Sequence, residues 1–157
     1  GTAWAVGTAW KDRDACERSP CCHFVGSVKV NSVAMDKEKL QSTAKKLFIE
    51  QSHRHVFLCI GESCCSKEAG EAAWETLKNE LKDRNLSLSD SDASCYRTKV
   101  GCLRVCADGP ILVVYPEGHW YAEMTAEKIP EFVEKQIVKG EAIPDWIFAS
   151  NSLRNPL

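Results

Sequence analysis

Apolar and polar positions change period several times along the chain. Residues 1–34 sustain no period, although Gly-Thr-Ala-Trp occurs twice, at 1–4 and 7–10. From Asp36 onward, Leu40, Ala44, Leu47 and Phe48 fall on one helical stripe. With Asp36 as its cap, this predicts a helix over about 36–51. Residues 54–60 are a short apolar run closed by Gly61, the pattern of a buried strand. Over 66–83 the period returns to helical, with Ala73, Trp74, Leu77 and Leu81 on one face. The Ser/Asp-rich stretch 85–94 reads as a loop, and 95–100 as a strand with Tyr96, Thr98 and Val100 on one side. Residues 110–115 are apolar, rich in β-branched side chains and too short for a helix. Pro116, Glu117 and Gly118 give a turn, and 119–122 return as the second arm of a β-hairpin. A last helix begins at Thr125 as cap, carries Ile129, Phe132, Val133 and Ile137 on one face, and stops at Gly140. Pro130 sits late for a first-turn proline in that helix.

The order helix, strand, helix, strand, hairpin, helix predicts an α/β fold: one sheet with flanking helices, in the general layout of a thioredoxin-like domain. Three segments follow: an extension over 1–53 with one helix, a domain over 54–142 and a tail over 143–157. Charge supports the division. The extension carries eight basic and six acidic side chains, the domain eleven and fifteen, and the tail one of each.

Composition narrows the function. The 157 residues are 44% hydrophobic and 27% charged, as in a globular protein. A net charge of −2 argues against a general nucleic-acid binder, and no apolar run is long enough to span a bilayer. The chain begins at Gly1 rather than Met, which is compatible with a processed or truncated protein, and no signal peptide is recognisable.

Nine cysteines change the picture more. Their odd number excludes a fully paired intramolecular disulfide framework. Within the domain they form two groups, Cys59 with the doublet Cys64-Cys65, and Cys102 with Cys106. The first group closes a strand and precedes a helix; the second lies in the loop that leads through Gly109 and Pro110 into the hairpin. If the two strands are neighbours, all of these thiols gather at one end of the sheet. Four thiolates there suit an iron–sulfur cluster or zinc, and spacing also leaves open unliganded thiols. The dithiol motif Cys-x-x-Cys is absent.

Residues 55–141 resemble the thioredoxin-like [2Fe-2S] ferredoxins, and are similar to the peripheral cluster-bearing subunit of respiratory complex I and of bidirectional hydrogenases. The resemblance rests on Val-Phe-Leu-Cys59, Ser-Cys64-Cys65, and a helix with Gly70 and Trp74. It continues through Gly-Cys102-Leu-Arg-Val-Cys106 and the unbroken block from Gly109 to Tyr121. It implies a [2Fe-2S] cluster on Cys59, one of Cys64 and Cys65, Cys102 and Cys106. Aligning the helix by Trp74 and Leu77 favours Cys65, while the four-residue gap from Cys59 favours Cys64. Gly61, Gly101 and Gly109 would admit close backbone approach to the cluster. Arg104 would offset charge or meet an acidic partner.

The resemblance further implies a one-electron carrier with redox partner proteins and no bond-making chemistry of its own. The doublet and the hairpin wording look most like versions from oxygenic phototrophs. That implies a chloroplast stroma or thylakoid, or a cyanobacterial cytoplasm. The alternative is a structural or assembly subunit of a large photosynthetic or respiratory membrane complex, docked through the extension with Trp4 and Trp10 as anchors. Trp120, on an expected edge strand, would serve a partner or a homodimer.

Other features weigh less. Cys16, Cys21, Cys22 and His23 lie outside the resemblance, and adjacent cysteines make poor joint ligands. Cys95 reads as a small core residue. His53, His55 and His119 do not pair with the cysteine motifs as Rieske ligands would. No nucleotide-binding glycine motif occurs.

Overall fold

The computed structural model describes residues 35–153. Trp4, Trp10, Cys16, Cys21, Cys22 and His23 lie outside the described residues. Compactness divides the chain after Met35, so residues 36–157 form a unit of their own.

Helix α1 spans Lys37–Lys46, with the Asp36 side chain accepting from the Lys39 N–H. It is shorter than the expected 36–51. Phe48 adopts a left-handed φ of 52°, which breaks the helix and leaves a separate 3₁₀ turn at Ile49–Gln51. No α1 residue is buried, so propensity and capping sustain it without a packed face.

Strand β1 (Arg54–Cys59) leads to α2 (Lys67–Asp83) and then to β2 (Cys95–Val100), which pairs with β1 in parallel. Ser66 caps α2 by accepting from the Ala69 N–H at 3.2 Å. Strand β3 (Leu112–Tyr115) runs antiparallel to β1, and β4 (His119–Tyr121) antiparallel to β3. Helix α3 (Ile129–Phe132) continues directly as a π-helical segment over Val133–Lys139. It starts later than expected: Thr125 enters through its carbonyl, which accepts from Lys128 and Ile129 N–H, and Pro130 fits in the first turn. Gly140, at φ 72°, ends the π segment.

The expected tail is part of the sheet. A 3₁₀ turn at Pro144–Trp146 leads into β5 (Ile147–Ser150), antiparallel to β4. The strand order is β2-β1-β3-β4-β5. Strand β4 is thus interior, and Trp120 lies opposite Ala149 with its ring 6.3 Å from Phe148, not on an open edge. The core forms where Val56, Leu58, Leu112, Val114 and Tyr121 meet Leu77 and Leu81 of α2 and Phe132, Val133 and Ile137 beyond. Among the described residues no helix is long and apolar enough to cross a membrane.

Candidate metal centre

Strand pairing brings both cysteine groups to one end of the sheet. Cys59 closes β1, and its N–H donates to the Ile111 carbonyl at 2.8 Å. The chain then folds back: the Gly61 carbonyl accepts from the Cys64 N–H at 2.8 Å and the Cys65 N–H at 3.2 Å. The second loop meets this turn at two points. A Cβ on Gly61 would lie 2.1 Å from the Gly101 carbonyl oxygen. One on Gly109 would lie 2.3 Å from Cys64 Sγ and 2.6 Å from its carbonyl oxygen. These two glycines are where the loops need bare backbone. Gly101 differs from expectation, since a Cβ there would meet open space; it contributes its carbonyl instead.

The doublet divides. The Cys64 thiol is in hydrogen-bond contact with the Cys59 side chain and the Ile111 N–H. Burial pushes it up to about 11. Cys65 Sγ points towards α2, 3.1 Å from where a Cβ on Gly70 would stand. Its pKa is also raised, first by burial and then by Cys59. In the second group Cys102 and Cys106 are exposed, with sulfurs 3.8 Å apart. The neighbouring Cys102 thiol raises the pKa of Cys106.

Backbone geometry around this pair is unusual. Arg104, Cys106 and Asp108 have φ of 69°, 51° and 47°, with no glycine among them. Left-handed residues in turns of this kind occur in nests, the N–H concavities that bind anions and iron–sulfur clusters. The Arg104 N–H donates to Cys102 Sγ at 3.2 Å. The Arg104 side chain is exposed. The anticipated charge role of Arg104 thus gains a main-chain role that no side-chain pattern could signal.

This donor set fits a two-iron centre. Two thiolates on one tetrahedral metal, with bonds of about 2.3 Å, lie about 3.8 Å apart, the separation of Cys102 and Cys106. Cys59 and Cys64 form a second pair in contact. Among the described residues no group of three or more His, Cys, Asp or Glu side chains is gathered for a single metal ion. Pairs of thiolates are what each iron of a [2Fe-2S] cluster takes. The histidines lie elsewhere: His55 stands opposite Tyr115, and His119 bonds Gln136 at 3.0 Å.

A thioredoxin-like sheet with two thiol pairs at one end suits an iron–sulfur protein. The family description "Thioredoxin-like [2Fe-2S] ferredoxin" matches residues 48–136, and the chain belongs to this family, whose cofactor is a [2Fe-2S] cluster. It is 40% identical over 97 residues to "Ferredoxin, 2Fe-2S" of Clostridium pasteurianum, covering 57% of this chain and 89% of that one. The corresponding Aquifex aeolicus ferredoxin is 31% identical over 94 residues, at 57% and 84% coverage. The solved structure of a thioredoxin-like [2Fe-2S] ferredoxin from Aquifex aeolicus superposes with a TM-score of 0.55 at 22% identity. It covers 68% of this chain and 99% of that one, a likeness of fold.

Proposed function

We infer that this protein is a one-electron carrier whose single low-potential [2Fe-2S] cluster is held by Cys59, Cys64, Cys102 and Cys106. The observation that carries this reading is the meeting of two thiol pairs at one end of the sheet, with a main-chain N–H on the Cys102 sulfur. Cys64 is preferred over the Cys65 of the helix alignment because its thiol meets Cys59, whereas Cys65 packs towards Gly70. When bound, the cluster takes up and releases one electron between its ferric–ferric and mixed-valence states. The residues hold the thiolates, supply N–H donors that favour the site's negative charge, and limit water on the Cys59 side.

The visible spectrum of anaerobically purified protein tests the reading. Bands between about 330 and 460 nm that partly bleach with dithionite are expected for a [2Fe-2S] centre on four cysteines. Colourless protein with intact thiols and iron supplied would overturn it. Cys64→Ser should change the spectrum and Cys65→Ser should not; the reverse restores Cys65 as ligand.

The same proposal carries the finer expectation of a chloroplast or cyanobacterial setting, supported by the wording of the doublet and hairpin. Fractionation of the source cell tests it. A soluble protein supports a shuttle, and co-migration with a membrane complex supports a fixed subunit.

A further inference from the structure

The two cysteine pairs face their surroundings differently. Cys59 is 2% exposed, and Cys64 and Cys65 are half-buried. On the other side Cys102, Arg104, Val105, Cys106, Ala107 and Asp108 are all exposed. A cluster spanning the two pairs is therefore nearest to solvent through the 102–106 loop. Arg104 stands at the middle of that loop. Its left-handed backbone turns the N–H inward to the Cys102 sulfur, so the main chain is spent on the site while the guanidinium stays outside. Among the described residues of the domain Arg54, Lys78, Arg84, Lys99, Lys128, Lys135 and Lys139 form ion pairs, whereas Lys67, Lys82, Arg97 and Arg104 form none. Among the described residues no carboxylate pairs with Arg104. Beside it, Val105 is an exposed apolar side chain, 37% accessible. Arginine is enriched among the residues that anchor interfaces. On the opposite side Lys67, the first residue of α2, is flanked in sequence by Ser66 and Glu68 and has no apolar neighbour in the chain.

We propose that the 102–106 loop is the face through which electrons are exchanged, and that Arg104 selects redox partners presenting an acidic surface there. The proposal rests on the cluster reading above. A carboxylate on the partner pairs with the guanidinium, Val105 packs beside it, and the partner's redox centre is brought to the exposed ligand pair. The step is a single outer-sphere electron transfer, with no bond made or broken. Charge complementarity of this kind acts mainly on the rate of encounter.

The test uses full-length protein with its cluster, reduced and mixed with two one-electron oxidants of opposite charge. These are ferric EDTA, an anion reduced to its ferrous form, and hexaamminecobalt(III), a cation reduced to cobalt(II). The ratio of the two rate constants cancels any change in the protein's potential. Arg104→Glu should shift the ratio towards the cation by about tenfold or more at low ionic strength, and the shift should fade in high salt. Arg104→Lys should keep the native ratio, and Lys67→Glu at the start of α2 should move it much less. Docking is read apart from electron flow with hexacyanochromate(III), a redox-inert paramagnetic anion. It should broaden the Val105 methyl signals in the native protein and spare them in Arg104→Glu. An unchanged ratio in Arg104→Glu with its visible bands intact would overturn the proposal, as would a larger shift from Lys67→Glu. Native protein without bleachable bands would instead overturn the carrier reading, and this proposal with it.

Discussion

At one end of the sheet, the last residue of β1 and the loops that follow β1 and β2 hold five thiols and three left-handed non-glycine residues, with Cys102 and Cys106 exposed. At the other end, polar side chains are fastened to one another. Arg54 bridges Glu117 at 2.9 Å and donates to the Ile137 carbonyl at 3.0 Å, and Ser52 donates to the Arg54 carbonyl at 2.9 Å. Near that second end lies a cavity of about 530 Å³ bordered by His53, His55, Tyr96 and Tyr115. One end ties charged side chains to one another and to the main chain; the other directs main-chain N–H groups at cysteine sulfurs. Strain and exposure concentrate where function is expected, and the remote network holds the sheet that carries them.

Substitutions at the two ends should separate stability from cluster retention. Cys59→Ser has the largest expected effect: the visible bands disappear while far-ultraviolet circular dichroism persists. Gly109→Ala places a methyl against Cys64. It should lower iron content and also destabilise the fold by about 1–3 kcal/mol, read by iron analysis and thermal melting. Arg54→Ala should break the comparison the other way. It leaves the Ile137 carbonyl and a largely buried Glu117 without their guanidinium. The expected cost is about 3 kcal/mol in chemical denaturation, with an unchanged visible spectrum.

A smaller effect concerns pH. Burial raises the Cys95 thiol from 9.0 to about 12. The folded state thus holds this proton more tightly than the unfolded chain. Its contribution is complete below about pH 9 and is lost as pH rises towards about 12. Cys95→Ala should flatten the decline in urea midpoint between pH 9 and 11. Lys135→Ala, which removes an exposed pair with Glu131, should leave the urea midpoint almost unchanged.

Much of the fold was legible because its signals are local. Strands β1 and β3 are short apolar runs, and the buried positions of α2 include the predicted Ala73, Leu77 and Leu81. What escaped depends on contacts distant in sequence or on backbone states that residue type conceals. Phe48 continues an apolar stripe yet turns left-handed. β5 is four residues long, Ile147 to Ser150, with no sustained apolar alternation, and it becomes a strand because β4 offers a free ladder. Both cysteine groups were visible from residue identity. The donors that surround them were not: the N–H groups of Arg104 and Ile111 belong to the main chain and carry no residue signature. Nor did glycine mark the left-handed positions at Arg104, Cys106 and Asp108.

The exposure of Cys102 and Cys106 also bears on how long the protein survives in use. An opening that lets an electron leave is equally open to dioxygen and peroxide, and thiolates at the surface are the first to be oxidised. Damage should therefore begin at this pair, while Cys59 stays protected behind the sheet. The working lifetime in air is then set by the same few atoms that make contact with a partner, and a bound partner, by covering them, prolongs it.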